Sequence, residues 1–162
     1  MTSAVDAVEA LRAAGATVAT AESLTGGLVC ATLVGVPGAS TVVRGGVVAY
    51  APDVKTSALG VDADLIAERG TVDADVAAAM AVGVRERLAA TYGLATTGVA
   101  GPDPSEGKPA GTVHVAVAGP AGVETRLLGL SGDRDEIRTG TVAALLSLLV
   151  ATLGEESRTT RG

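Results

Sequence analysis

Phenylalanine and tryptophan are absent from this 162-residue chain, and tyrosine occurs only twice, as Tyr50 and Tyr92. Nucleic-acid bases would find no platform on which to stack. A formal net charge of −6 argues further against a nucleic-acid partner, because no broad basic surface is available to phosphates. Cys30 is the single cysteine, so no internal disulfide can form. With His114 as the single histidine, the chain lacks the donors of a conventional zinc site, and neither a metal nor a cofactor is expected. No apolar run reaches the ~18 residues of a membrane span, which argues against a membrane partner. The first residues carry Asp6, Glu9 and Arg12 rather than a basic start and an apolar block. That predicts a cytoplasmic protein without a signal peptide. Lysine is scarce as well: Lys55 and Lys108 stand against ten arginines, so a lysine inside a motif is informative.

What is present is apolar and small. Hydrophobic residues make up 48% and charged residues 19%, enough to bury one core built from Val, Leu, Ile and Ala. The expected organisation is a single domain over 1–154 with a frayed polar tail over 155–162. Val5, Val8 and Leu11 recur at helical spacing before Gly15. Thr17 to Thr20 reads as a short buried strand and Leu28 to Val34 as a helix. Thr41 to Tyr50 reads as a strand or a hairpin interrupted by Gly45 and Gly46. Pro52 opens a helix that Gly60 stops, and Asp73 caps another bearing Val76, Met80, Val84 and Leu88. Leu94 to Thr97 is a strand, and 98–111 a Pro/Gly loop. Thr112 to Ala118 and Val123 to Leu130 form an antiparallel hairpin, and Asp133 to Leu153 a long helix. The pattern predicts an α/β fold, a three-layer domain with a mixed sheet flanked by helices. Ligands of such sheets sit at strand ends near helix starts. Ala- and Val-rich helices predict pairing into a homo-oligomer, a dimer first.

Four segments carry the possible chemistry. In Ala21-Glu22-Ser23-Leu24-Thr25-Gly26-Gly27 a strand feeds a helix through two glycines. The spacing fits an N-capping turn first, and it also fits a loop that holds a nucleophile or binds an anion through free amides. Thr96-Thr97-Gly98-Val99-Ala100-Gly101-Pro102 repeats the strand-to-glycine design; it fits an ordinary turn or a ligand nest. Tyr50 and Lys55 flank Pro52, as a rim pair or as part of a site. Arg134 and Arg138 share one helix face and could grip a phosphate or carboxylate, or pair with Asp135 and Glu136. His114 alternates away from Val113, Val115 and Val117, and Cys30 lies on an apolar helix face; both read as structural. Without histidine, a lysine is the remaining base for a serine.

These segments, with Leu59-Gly60-Val61, Pro109-Ala110-Gly111-Thr112-Val113 and Gly132-Asp133-Arg134, occur in an order that resembles the CinA C-terminal domain family. The resemblance runs from about Val5 to Leu153. It implies a nicotinamide-nucleotide amidase, which converts nicotinamide mononucleotide (a phosphorylated pyridine nucleotide) to nicotinic acid mononucleotide and ammonia. It implies Ser23, Tyr50 and Lys55 as catalytic positions. On that reading Ser23 attacks, Lys55 takes its proton and Tyr50 relays it or orients the lysine. Thr25, Gly26, Gly27, Thr97, Gly98, Ala100, Gly101, Arg134 and Arg138 are then the expected substrate-binding set. The chain departs from the family's glycine-rich run at Asp103-Pro104-Ser105-Glu106-Gly107. The alternative reading is a non-catalytic nucleotide-binding or regulatory module, with Ser23 as a cap.

Overall fold

Local signals place most of the helix starts. The Ser3 hydroxyl accepts from the Asp6 amide while the Asp6 carboxylate accepts from the Ser3 amide, a reciprocal cap that opens α1 (Ala4–Ala13). Asp73 caps α5 (Ala74–Arg87) through the Asp75 and Val76 amides, and Asp133 with Glu136 repeats the reciprocal cap at α6 (Arg134–Thr159). Pro52 starts α3 (Pro52–Leu59), and Gly60, at φ 72°, ends it in the left-handed conformation. Helices α2 (Leu28–Val34) and α4 (Ala63–Arg69) complete the set. The computed structural model describes residues 1–162 throughout.

Five strands, β1 (Val18–Glu22), β2 (Val43–Val48), β3 (Tyr92–Gly98), β4 (Thr112–Gly119) and β5 (Gly122–Gly129), form one sheet in the order β2-β1-β3-β4-β5. β1 pairs in parallel with β2 and β3, and β3-β4-β5 are antiparallel. The sheet is therefore mixed, and it has a helical layer on each face. Val18, Leu94, Val113, Val115 and Val117 pack against α1, α2 and α6. Ala19, Ala21, Ala95, Ala116 and Ala118 point the other way, onto α3 and α5. Alternation of large and small residues along the strands makes one interface thick and the other close. The parallel register brings the ends of β1, β2 and β3 to one edge, so Ser23, Tyr50 and the 98–101 segment meet there.

One alternative closes and two expectations are corrected. Of the strand and the hairpin expected over 41–50, the strand forms, at the edge of the sheet: Gly45 and Gly46 pair directly with Ala19 and Thr20. The polar 155–162 stretch is not a frayed tail from its start, because α6 continues through Thr159 and Tyr92 donates to the Glu156 carboxylate. Helix α6 is also long and apolar enough to cross a membrane, with mean hydropathy 1.6 in its best window. Half of that window is buried, and Ile137, Leu145, Leu148 and Leu149 belong to the core face.

Candidate active site

Ser23 follows β1 directly. Its amide donates to the Thr96 carbonyl (3.1 Å) and the Thr96 hydroxyl (3.3 Å), which ties the residue to the end of β3. Gly26 and Gly27 then turn the chain into α2 at φ 58° and 105°, a conformation that disfavours other residues. The carboxylate of Glu22, 1% exposed, reaches past this turn. It accepts from the Val29 (2.7 Å) and Cys30 (3.0 Å) amides and from the Thr20 hydroxyl (3.3 Å). The start of α2 is thus already occupied by an anion of the chain itself.

Arg138 holds the turn from the other side. Its Nε donates to the Leu24 carbonyl at 3.0 Å and a terminal nitrogen to the Thr25 carbonyl at 3.2 Å. The Thr25 and Thr96 hydroxyls are buried against each other at 2.8 Å. Neither the Leu24 nor the Thr25 amide donates a hydrogen bond within the chain.

Lys55 comes from α3, one turn past Pro52, and is 1% exposed. Its Nζ donates to the Ser23 Oγ at 3.0 Å, to the Ala49 carbonyl at 2.7 Å and to the Tyr50 carbonyl at 3.2 Å. No carboxylate lies within ion-pairing distance. Burial therefore lowers its pKa to about 8, and the distant charge of Glu106 only partly opposes the shift. A serine hydroxyl facing an amine of reduced basicity is the arrangement of a Ser-Lys hydrolase.

The Tyr50 ring does not sit beside that amine. Its side chain is exposed, and its hydroxyl accepts from Arg134 at 3.3 Å. Tyr50 reaches Lys55 through its carbonyl. A second Arg134 nitrogen donates to the Gly101 carbonyl at 2.5 Å. These groups border a cleft of about 370 Å³ lined by Leu24, Tyr50, Gly98 to Asp103, Ser105 and Arg134. A larger hollow of about 540 Å³ lies beside α2 and β2, but no nucleophile there faces a base.

The expected substrate-binding residues divide. Gly98, Ala100, Gly101 and Arg134 line the cleft. Thr25, Gly26, Gly27 and Arg138 build the turn that follows Ser23, and the Thr97 hydroxyl donates to the Thr71 carbonyl on the opposite face of the sheet. Sequence reasoning missed Glu22 and Thr96. A glutamate ending a fully buried strand of small residues was the available signal for the first; for Thr96 there was none beyond its place in the Thr-Thr-Gly run. Cys30 is half-buried, and His114 lies partly buried in β4 with its Nδ1 unpartnered.

A family model for the CinA C-terminal domain matches residues 2–153. The chain belongs to the CinA C-terminal domain family. It is 57% identical over 150 residues to a CinA-like protein of Frankia casuarinae, covering 91% of this chain and 35% of that protein. Against a CinA-like protein of Gloeobacter violaceus it is 51% identical, covering 83% and 32%. The chain thus spans about a third of the length of these curated relatives. The CinA superfamily protein of Klebsiella pneumoniae superposes with a TM-score of 0.92 at 29% identity, over 94% of this chain and 96% of that one. The competence/damage inducible protein of Agrobacterium tumefaciens gives 0.84 at 37%, over 92% and 96%. The mixed five-stranded sheet between two helical layers is that of the CinA domain.

Proposed function

We propose that this CinA domain hydrolyses the carboxamide of nicotinamide mononucleotide to nicotinic acid mononucleotide and ammonia. The substrate follows from the family resemblance, and the reaction type is supported above all by the Lys55–Ser23 contact at 3.0 Å. At pH 7 about a tenth of Lys55 is neutral, given a pKa of about 8. A neutral amine has two N–H bonds and one lone pair. The Ala49 and Tyr50 carbonyls take the two N–H bonds, so the lone pair faces the Ser23 hydroxyl.

Ser23 Oγ attacks the carboxamide carbon as its proton passes to Lys55 Nζ. Negative charge develops on the carbonyl oxygen, and the undonated Leu24 and Thr25 amides are the nearest backbone donors along the chain. Collapse breaks the C–N bond, and the Lys55 ammonium returns its proton to the departing nitrogen, which leaves as ammonia. Water then attacks the Ser23 ester as its proton passes to Lys55; the acyl C–O bond to Ser23 breaks, the Lys55 ammonium returns the proton to Ser23 Oγ, and the acid product departs. Tyr50 has no relay step here, because its hydroxyl is bonded to Arg134. It orients the amine by its carbonyl and shapes the rim with its ring. No three His, Cys, Asp or Glu side chains cluster, and no step requires a metal.

Incubation with nicotinamide mononucleotide tests the reading. Ammonia and the acid mononucleotide should appear in equal amounts. Binding without release of ammonia would favour the regulatory module.

A further inference from the structure

We infer that Glu106 is a positioning residue, whose carboxylate clasps the 102–110 loop to the start of α5 and so sets the wall of the mononucleotide cleft. The inference rests on the cleft and substrate just proposed. Glu106 and Gly107 form the tip of a two-residue turn closed by reciprocal backbone bonds between Ser105 and Lys108 (3.0 and 2.9 Å). Glu106 sits at φ 52°, where the Cβ atom crowds the backbone and few glutamates are found. A residue held against its preference points to a contact that compensates.

That contact is made by the Glu106 carboxylate. One carboxylate oxygen accepts from the Thr71 amide (2.9 Å) and hydroxyl (2.7 Å); the other accepts from the Thr71 (3.1 Å) and Val72 (3.0 Å) amides. Lys108 Nζ donates to the Val72 carbonyl, and Thr97 to the Thr71 carbonyl at 2.6 Å. Every backbone polar group of Thr71 and Val72 is therefore gripped by the loop or by β3. Partial burial works to raise the Glu106 carboxyl, but the Thr71 and Val72 donors and the Lys108 ammonium hold it below the usual range. The same loop supplies Asp103 and Ser105 to the cleft that Tyr50 and Arg134 border. With the far end of the loop released, these two side chains lose their fixed place, and the cost falls on ligand affinity rather than on the Ser23–Lys55 contact.

The decisive variant is Glu106→Gly. It relieves the backbone conformation, so the turn and the fold persist, and it removes the carboxylate alone. Calorimetric binding of nicotinamide mononucleotide is measured on the Ser23→Ala background, where turnover cannot intrude, and Lys108→Met is run beside it. The expected result is a Kd raised about tenfold in Glu106→Gly and by a smaller factor in Lys108→Met, with faster hydrogen exchange at the Thr71 and Val72 amides. A Kd within twofold of the parent overturns the proposal, as does a parent that binds no mononucleotide. Tight binding by the parent with no ammonia from the Ser23-intact chain contradicts the amidase reading and leaves the clasp standing.

Discussion

The Lys55 ammonium nitrogen lies 3.0 Å from the Ser23 hydroxyl, and its two other partners are backbone carbonyls rather than carboxylates. An ion pair would have kept the lysine charged; carbonyls hold it in place and leave burial to lower its pKa to about 8. The rate should follow the neutral amine. It should rise about tenfold per pH unit below 7, bend near pH 8 and level off above it. Lys55→Arg keeps the charge and cannot act as a base, so it should be as damaging as Lys55→Ala. A flat pH profile, or an active arginine variant, would assign Lys55 to anchoring instead.

Arg134 and Arg138 lie one turn apart and should fail differently. Arg134 lines the cleft, so Arg134→Ala should raise KM about tenfold or more with kcat little changed. Arg138 grips the Leu24 and Thr25 carbonyls, so Arg138→Ala should lower kcat with KM nearly constant. Lysine cannot span both carbonyls and should not rescue Arg138. Steady-state kinetics of the three variants decide the matter.

The division was not legible in the sequence, because the partners of Arg138 lie more than a hundred positions away along the chain. Order and punctuation carried much of the rest. Pro52 and Gly60 bounded α3, and glycines marked the turns that bring Ser23 and Lys55 together. Helix α4 was not legible because its seven residues offer only the adjacent Leu65 and Ile66, half-buried against the core, and two neighbouring positions cannot show a helical period. Tyr50 was legible as a member of the site but not in its manner of acting, since a carbonyl contact leaves no mark on residue type. The extension of α6 into a polar segment rests on the Tyr92–Glu156 bond, another distant pairing.

Glu22 fastens the Ser23 turn to α2 with a buried carboxylate. Glu22→Gln keeps the shape but leaves an amide facing backbone N–H groups, at a cost of about 1–3 kcal/mol. Thermal unfolding should show the loss. Because the Ser23 turn loosens with it, kcat should fall as well while KM holds.

Gly83 tests the close interface. A helical glycine changed to alanine ordinarily gains about 1 kcal/mol. Here the added methyl would meet the Leu59 carbonyl oxygen at 2.0 Å, which backbone atoms cannot relieve. Gly83→Ala should therefore destabilise by about 3 kcal/mol and lower Tm by roughly 10 °C. An unchanged Tm would mean that α3 and α5 do not pack this closely.

Ammonia release from nicotinamide mononucleotide by the intact chain and by Ser23→Ala, with binding measured in parallel, bears most directly on the central claim. The intact chain should give equimolar ammonia and nicotinic acid mononucleotide. Ser23→Ala should bind the mononucleotide and turn it over at least ~10⁴-fold more slowly, as expected when a nucleophile is lost. A Ser23→Ala variant that keeps a tenth of the intact rate, or an intact chain that binds the mononucleotide and releases no ammonia, would contradict it.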